Sequence, residues 1–369
     1  MAVVARFQVE YTRFLDAQGE ATQALPPFAL DPAALIPLYR AMTQARLFDS
    51  KAIALQRTGK IGTFASALGQ EAIGIGVASA MRAEDVLVPS YRDHAAQLVR
   101  GVSMAESLLY WGGDERGSDF AVPRMDFPIA VPIATQVCHA AGCAYAFKLR
   151  GEPRVAVCML GDGGTSKGDF YEALNLAAVW QAPLVVVVNN NQWAISVPRS
   201  QQSAAPTLAQ KAIAAGIEGC QVDGNDVVAV HHLAQQGIAK ARAGGGPSLI
   251  EAISYRLGDH TTADDATRYR DPAEVETQWA FEPIRRLRNY LLRLTAWSPE
   301  QEEALVKECS NEVNAAVEAY LATPPPGAAD MFDHLYATLP AALQEQRAMA
   351  LHFALRFAPR EVGGGGGHG

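Results

Sequence analysis

The fold is determined by one stretch of sequence, in which Val155-Ala-Val-Cys-Met-Leu160 leads into Gly161-Asp-Gly-Gly164, and Leu184-Val-Val-Val-Val188 leads into Asn189-Asn-Asn191. Continuous apolar runs of this length are typical of strands that are buried on both faces of a parallel sheet. The segment between the two runs, Asp169 to Trp180, carries its apolar residues at helical spacing. The stretch therefore predicts a strand–helix–strand unit, which is the repeating element of α/β folds.

The alternation of helix and strand continues on both sides of this unit. Toward the C-terminus, one helix pattern begins near Leu208 and a second covers about Val227 to Ala243. Strand patterns lie at Gly219 to Val222 and at Ser248 to Tyr255. On the N-terminal side a long helix is predicted from Ala33 to Thr58. This alternation predicts an α/β fold with a doubly wound, mostly parallel sheet.

Four regions are predicted from the breaks in the pattern. Pro26-Pro27 precedes the first helix start, Asp271-Pro272 signals another start, and Pro324-Pro325-Pro326 ends a helix. The chain then divides into an N-terminal arm (1–30), a large α/β domain (31–270), a helical C-terminal extension (271–345) and a tail with a Gly-rich end (346–369). The run Gly363 to Gly367 is of low complexity and predicts no fold.

The composition excludes several classes of protein. The 369 residues are 49% hydrophobic and 19% charged, which is ordinary for a globular chain with a sizeable core. A net charge of −8 argues against nucleic acid or an anionic membrane as the main partner, and no apolar run approaches the roughly 18 residues of a membrane-spanning helix. The five cysteines form no CxxC pair, and Met1 to Glu10 lacks the apolar core of a secretory signal. We therefore expect reduced, buried thiols in a cytoplasmic protein.

Asp162 and Asn191 come directly after the two central strands. Because ligands of open α/β sheets bind at the carboxyl ends of the strands, one carboxylate and one carboxamide oxygen should converge there, beside the glycine turn. Mg²⁺ prefers such oxygen ligands. Free backbone N–H groups of a glycine turn at a helix start suit phosphates. Together these features predict a site for Mg²⁺ and a diphosphate.

Each half of this motif has a simpler interpretation by itself. An Asp between glycines is most often a plain turn, and Asn residues after a strand often only terminate it. The spacing across one strand–helix–strand unit favours the binding site. Other phosphate motifs do not fit, because Ser166 stands where a dinucleotide fingerprint needs glycine, and Lys167 precedes Gly168 instead of following a glycine as in the P-loop.

The order Gly161-Asp-Gly163 and then Asn190-Asn191 resembles the signature of thiamine-diphosphate enzymes. The chain between about residues 35 and 345 is similar to the alpha subunit of the two-chain 2-oxo acid dehydrogenases, the decarboxylating component of those complexes. The similarity is carried by collinear segments: Arg57 to Gly62, Leu68 to Ala72, Pro89 to Asp93, Ile133 to Gln136, Gly161 to Glu172, Gln221 to Asn225 and Tyr255 to Arg270. It implies that the 31–270 domain has the thiamine-diphosphate-binding fold.

The resemblance also implies roles for individual residues. Mg²⁺ would be held by Asp162, by the side chain of Asn191 and by the backbone carbonyl of Trp193. The residues implied to contact thiamine diphosphate are Tyr91 and Arg92 at its diphosphate end, the backbone around Val131 and Ile133 at its aminopyrimidine, the turn Gly161, Asp162, Gly163 and Gly164, and finally Asn191 and His260. His260 is the implied catalytic residue, either as a hydrogen-bond donor to the diphosphate or as a proton donor to reaction intermediates.

Other positions near the predicted site are less defined. Val131 stands where some relatives carry serine, so only a backbone contact is expected, and Thr261 stands where animal relatives carry a regulated serine. Phe64 either faces the substrate pocket or packs in the core, while Gln70 and Glu71 are expected to be structural or to lie at an interface. A lone histidine in a polar loop is usually only solvated. The charged residues around His260 that we expect to order its loop through ion pairs on cofactor binding are Asp259, Asp264, Asp265, Arg268 and Arg270.

The implied activity is the oxidative decarboxylation of pyruvate with thiamine diphosphate and Mg²⁺, and transfer of the acetyl group to a lipoyl-lysine of the dihydrolipoyl acyltransferase core. Branched-chain 2-oxo acids are the close alternative, because one or two methylenes of pocket are worth only about 1–3 kcal/mol. The motif segments offer no carboxylate for the aminopyrimidine. In the family a beta subunit supplies it, so the resemblance implies an α₂β₂ assembly. An NAD-dependent oxidoreductase and a non-catalytic subunit of the same fold are the alternatives from other classes.

Overall fold

A central sheet organises the protein in the computed structural model, which describes residues 1–357. Its strands in chain order are β1 (Tyr11–Thr12), β2 (Val86–Val88), β3 (Ala156–Gly161), β4 (Leu184–Asn190), β5 (Trp193–Ala194), β6 (Val197–Pro198), β7 (Glu218–Asp223) and β8 (Ser248–Ile253). β5 and β6 form a small antiparallel hairpin, and the other six strands form one sheet in the order β1-β7-β8-β4-β3-β2. Every neighbouring pair in this sheet is parallel. The predicted α/β fold with a mostly parallel sheet is confirmed.

Helices form most of the remaining regular structure. The α-helices of the described residues are α1 (Pro32–Arg57), α2 (Glu71–Ser79), α3 (His94–Arg100), α4 (Met104–Trp111), α5 (Thr135–Arg150), α6 (Gly168–Val179), α7 (Arg199–Gln202), α8 (Lys211–Ala214), α9 (Val227–Arg242), α10 (Pro272–Gln278), α11 (Pro283–Arg293), α12 (Pro299–Ala322), α13 (Asp330–Asp333) and α14 (Ala341–Phe357). Short 3₁₀ helices cover Pro27–Leu30, Glu115–Ser118, Asp162–Ser166, Ala266–Arg268 and Trp279–Phe281. The predicted helix starts at α1 and α10 are present, since Asp31 and Asp271 each cap their helix by accepting from the backbone N–H two residues later.

The pair β3–β4 is covered on both faces. Val157 lies opposite Val185 and Met159 opposite Val187, and these side chains belong to the core cluster that includes residues of α1, α2 and α9. The alternate side chains of both strands join a second cluster with α5 and α6. All seven residues of β4 are buried. The unbroken apolar runs of the sequence therefore reflect burial of both sides of each strand.

The N-terminal arm is part of the sheet. Tyr11–Thr12 pair with Gln221–Val222 at the sheet edge. Asp226, buried at the start of α9, accepts the backbone N–H groups of Phe14 and Leu15 at 2.7 and 2.8 Å, and it also accepts two N–H groups from the first turn of α9. One carboxylate thus ties the arm to the helix that follows its pairing strand.

Several boundaries differ from the expectations. The apolar triplet Val86–Val88 is too short to indicate a strand by itself, yet it forms the edge strand β2 beside β3. β8 ends at Ile253, two residues before the predicted end at Tyr255, although the N–H of Ser254 still donates to a carbonyl at the end of β4. The run Gly363 to Gly367 lies outside the described residues.

The chain divides into two compact units, Met1–Tyr320 and Leu321–Gly369. The second unit contains α13 and α14, which are linked by an ion pair of 2.7 Å between Arg347 and Asp333. The region boundaries predicted at residues 30, 270 and 345 stay predictions. Among residues 1–357, no helix combines the length and the apolar character that crossing a lipid bilayer requires.

All five cysteines are free thiols. Cys158 and Cys309 are buried, Cys143 and Cys220 are half-buried, and Cys138 on α5 is exposed. The expectation that the thiols are buried is therefore correct for two of them and wrong for Cys138, which is exposed with its Sγ directed to the backbone carbonyl of Asp169 at 3.7 Å.

Candidate active site

A cavity of about 590 Å³ lies at the carboxyl edge of the sheet, where β3 and β4 end. The structure brings every residue of the predicted site to its wall: Tyr91, Arg92, Val131, Ile133, Gly161, Asp162, Gly163, Gly164, Asn191, Trp193 and His260. Thr261 lines it as well. The glycine turn follows β3 and Asn191 follows β4. Because these two strands lie side by side, residues that are distant in sequence meet at one edge of the sheet.

The glycine turn is held in place by its neighbours. A Cβ on Gly163 would lie 2.9 Å from Cβ of Ala194, and a Cβ on Gly164 would lie 2.9 Å from a methyl of Leu160, so both positions need glycine for close packing. The buried Nζ of Lys211 donates to the carbonyl and the hydroxyl of Thr165 at 2.8 and 3.0 Å. The same hydroxyl donates to the carbonyl of Asp162 at 2.8 Å. Lys211 therefore holds the glycine turn in place through its hydrogen bonds to Thr165.

Asp162 is suited to bind a cation. Its side chain is 1% exposed, and its Oδ2 is buried without a hydrogen-bond partner. Burial raises the pKa of this carboxyl from 3.8 to about 6. A buried carboxylate oxygen without a donor costs free energy until a proton or a cation satisfies it. The residue present at this position thus fits a metal ligand.

The side chain of Asn191 is held at both ends. Its Nδ2 donates to Oε1 of Gln70 at 2.9 Å, and its Oδ1 accepts the backbone N–H of Trp193 at 3.2 Å. A carboxamide oxygen has two lone pairs, so Oδ1 can still coordinate a metal. In residues 1–357 no three His, Cys, Asp or Glu side chains gather in a metal-binding group, and the predicted ligand set, with its single carboxylate, does not need one.

Arg92 joins the cavity wall to the loop that carries His260. Its guanidinium donates to the carbonyl of Ser66, and it reaches the carbonyl of His260 at 2.9 Å and Nδ1 of the same residue at 3.2 Å. Because a guanidinium only donates, Nδ1 must be the acceptor and the ring proton is on Nε2. Burial, followed by the charge of Arg92, lowers the pKa of His260 from 6.5 to about 4. Near neutral pH, His260 is therefore a neutral donor through Nε2.

The loop around His260 is ordered by hydrogen bonds to its backbone. Asp264 accepts the backbone N–H of His260 at 2.9 Å and the hydroxyl of Tyr269, while Arg270 donates to the carbonyls of residues 256, 257 and 258. None of the ion pairs found in residues 1–357 joins two charged residues of this loop. The ion pairs are expected on cofactor binding and stay a prediction; in the structure Arg270 is buried against carbonyl oxygens.

The structure also resolves the undefined positions. Phe64 packs in the core against Phe48 and Trp111, and Trp111 rather than Phe64 lines the cavity. Glu71 is buried and paired with Arg46, which agrees with a structural role. Gln70 lines the cavity, so sequence reasoning missed its place in the site. A glutamine before a helix carries no signal that would have revealed it.

Fold and site together define an α/β protein with a ligand cavity at the carboxyl edge of a parallel sheet. The cavity holds a buried carboxylate with one unpartnered oxygen, a fixed carboxamide and a guanidinium. The chain belongs to the dehydrogenase E1 component family, whose members it matches over residues 39–328.

Several known proteins are similar in sequence to this chain over most of its length. It is 43% identical over 310 residues to "3-methyl-2-oxobutanoate dehydrogenase subunit alpha" of Mycobacterium tuberculosis, covering 84% of each chain. It is 38% identical over 352 residues to "Pyruvate dehydrogenase E1 component subunit alpha" of Mycoplasma genitalium, covering 95% of this chain and 98% of the relative. The protein of that name from Staphylococcus aureus is 38% identical over 340 residues, 91% of each chain. The chain is thus an E1 alpha subunit of the 2-oxo acid dehydrogenase type.

Proposed function

We propose that this subunit binds thiamine diphosphate and Mg²⁺ and takes part in the oxidative decarboxylation of pyruvate, passing the acetyl group to a lipoyl-lysine of the acyltransferase core. The observation that carries the proposal is the convergence of Asp162, with its unpartnered oxygen, and Asn191 beside a glycine turn. Relatives named for pyruvate, matching nearly their whole length, support the substrate. A cytoplasmic location stays a prediction.

The chain's own residues would divide the work of binding. Asp162, Asn191 and the carbonyl of Trp193 would hold Mg²⁺, and Arg92 and Nε2 of His260 would donate to phosphate oxygens. When bound, thiamine diphosphate supplies a nucleophilic carbon and an electron sink for decarboxylation. His260 acts as a neutral donor, since its pKa of about 4 leaves little imidazolium near neutral pH.

A second chain is needed to complete this site. Of the residues that line the cavity within the described part of the chain, Asp162 is the sole carboxylate, so none is left to stabilise the aminopyrimidine. Val131, Ile133 and Ile195 line the cavity and are 57%, 44% and 57% exposed. Apolar side chains at the rim of a polar site are typical of a surface that another chain covers. We propose that a beta subunit in an α₂β₂ assembly covers it.

A branched-chain 2-oxo acid is the second candidate substrate, favoured by the relative from Mycobacterium tuberculosis. The test is reconstitution of the chain with its beta subunit, followed by steady-state decarboxylation of pyruvate and of 3-methyl-2-oxobutanoate with an artificial electron acceptor. We expect activity that needs both chains, thiamine diphosphate and Mg²⁺, with the larger kcat/KM for pyruvate. Full activity of the chain alone would refute the beta-subunit proposal, and a larger kcat/KM for 3-methyl-2-oxobutanoate would refute pyruvate.

A further inference from the structure

Three amide side chains form a hydrogen-bond network in the wall of the cavity that Asp162 also lines. Oε1 of Gln70 accepts Nδ2 of Asn189 at 3.0 Å and Nδ2 of Asn191 at 2.9 Å. All three residues line the cavity and are nearly inaccessible, with Gln70 only 3% exposed. Nε2 of Gln70 has no partner. The network is outside the set of residues that the sequence placed in the site, apart from Asn191.

A single backbone donor determines the orientation of every amide in this network. The N–H of Trp193 can only donate, so the atom of Asn191 that faces it at 3.2 Å is the oxygen. The other atom of Asn191 is then the nitrogen, which requires an acceptor, and Gln70 must present Oε1. Asn189 must in turn point its nitrogen at Gln70, which leaves its Oδ1 to accept the hydroxyl of Ser254 at 3.0 Å.

Gln70 is itself rigidly placed. It is the residue before α2, and its backbone N–H donates to the carbonyl of Ala67 at 2.9 Å. Gly69 before it has a φ of +86°, and a Cβ there would lie 2.8 Å from Leu257. The backbone therefore enters the helix through a position that favours glycine, and this entry aims the Gln70 side chain at the ends of Asn189 and Asn191.

We propose that Gln70 is a positioning residue which keeps the oxygen of Asn191, rather than its nitrogen, available to the metal ion. The inference rests on the proposed Mg²⁺ site. A carboxamide rotated by half a turn presents N–H₂ in place of a lone pair, and N–H₂ does not coordinate a hard cation. Gln70 opposes that rotation because its acceptor oxygen satisfies Nδ2 of Asn191 in one orientation and faces an oxygen in the other. Residues behind the metal ligands commonly change metal affinity about 10- to 100-fold.

The test measures binding of Mn²⁺ as the probe for Mg²⁺, by electron paramagnetic resonance of the free ion, on the full chain with thiamine diphosphate present. Gln70→Met removes the acceptor at similar size, and Gln70→Glu keeps an acceptor oxygen in either protonation state. Ser254→Ala is the matched control, because it disturbs Asn189 and leaves the contact between Gln70 and Asn191 intact. Thermal unfolding without ligands records the structural cost of each variant.

We expect Gln70→Met to raise the Kd for Mn²⁺ about tenfold, while Gln70→Glu and Ser254→Ala stay within about threefold of the wild type. A double-mutant cycle separates orientation from general damage. In the Asn191→Asp background both side-chain atoms are oxygens, so adding Gln70→Met should change the Kd less than about twofold. If Gln70→Met does not fold, Gln70→Ala replaces it in both backgrounds.

The outcomes distinguish a failure of the proposed metal site from a failure of the role of Gln70. Unchanged Mn²⁺ affinity in Asp162→Ala would remove the proposed metal site, and the role of Gln70 with it. Loss of binding in Asp162→Ala with an unchanged Kd in Gln70→Met would overturn the role of Gln70 alone. That role is also overturned if Gln70→Glu weakens binding as much as Gln70→Met, or if Gln70→Met has equal effects in the Asn191 and Asn191→Asp backgrounds.

Discussion

Replacing Asp162 by asparagine should stabilise the ligand-free protein while it impairs metal binding. The carboxyl of Asp162 is buried, its Oδ2 has no partner, and its pKa is raised from 3.8 to about 6. A carboxyl whose pKa is higher in the folded state binds its proton more tightly there than in the unfolded chain. Its ionisation therefore removes stability as the pH rises from about 4 to about 6, and the whole loss is present at higher pH.

The size of the effect follows from the two pKa values. One unit of pKa corresponds to about 1.4 kcal/mol, so a shift from 3.8 to about 6 costs the wild type about 3 kcal/mol above pH 7. Around pH 5 the same group costs only about half of that, because most folded molecules still carry the proton. Asparagine has nearly the same shape and no charge to bury. We therefore expect Asp162→Asn to exceed the wild type in stability by about 3 kcal/mol near pH 7.5, and by about half as much near pH 5.

Urea unfolding of both proteins in excess chelator, at the two pH values, measures this difference. Other titrating groups occur in both proteins and cancel in the comparison. The reasoning would be refuted by an Asp162→Asn variant that is less stable than the wild type near pH 7.5, or by a difference that does not grow between the two pH values. Mn²⁺ binding, measured on the two folded proteins without chelator or urea, should be lost in the variant, which separates a stabilised fold from a working site.

Three further predictions concern the surroundings of the site and the edge of the sheet. Arg92→Leu removes a positive charge that faces Nδ1 of His260, so the pKa of that histidine should rise above about 4, measured by a histidine-selective NMR titration; an unchanged value would show that the charge of Arg92 does not lower it. Lys211→Met leaves two oxygens behind the glycine turn without their donor and should lower the free energy of unfolding by about 1–3 kcal/mol in urea, whereas a variant as stable as the wild type would contradict the anchoring of the turn. Asp226→Ala deprives four backbone N–H groups of their acceptor, and trypsin should then cleave after Arg13 sooner than in the wild type; equal cleavage rates would show that pairing of Tyr11–Thr12 alone holds the segment.

The central unit and the site could be predicted because their information is local. Two uninterrupted apolar runs indicate strands buried on both faces, and Asp162 and Asn191 follow those strands directly. The geometry of a parallel sheet then requires both residues to lie at one edge. Family resemblance added the residues on other loops, and the structure places all of them around the same cavity.

The features that could not be predicted depend on contacts between distant parts of the chain. Gln70 acts on Asn189 and Asn191, which lie 119 and 121 residues away, and no periodicity links them. The loop that carries His260 also depends on contacts that the sequence does not reveal. Arg270 is inserted among the backbone carbonyls of residues 256 and 258, and only the three-dimensional packing determines this choice of partner.

The N-terminal strand has a consequence for how the molecule is made. Phe14 leaves the ribosome early, yet its N–H group must wait for Asp226, 212 residues later in the chain. Closing a loop of that length is entropically costly and slow compared with forming local helices. During synthesis, the first residues therefore remain without their sheet partner until most of the α/β unit has been translated. Pairing of β1 with the sheet is thus a late step in folding. It requires that the strand β7 and the helix α9 have already assembled.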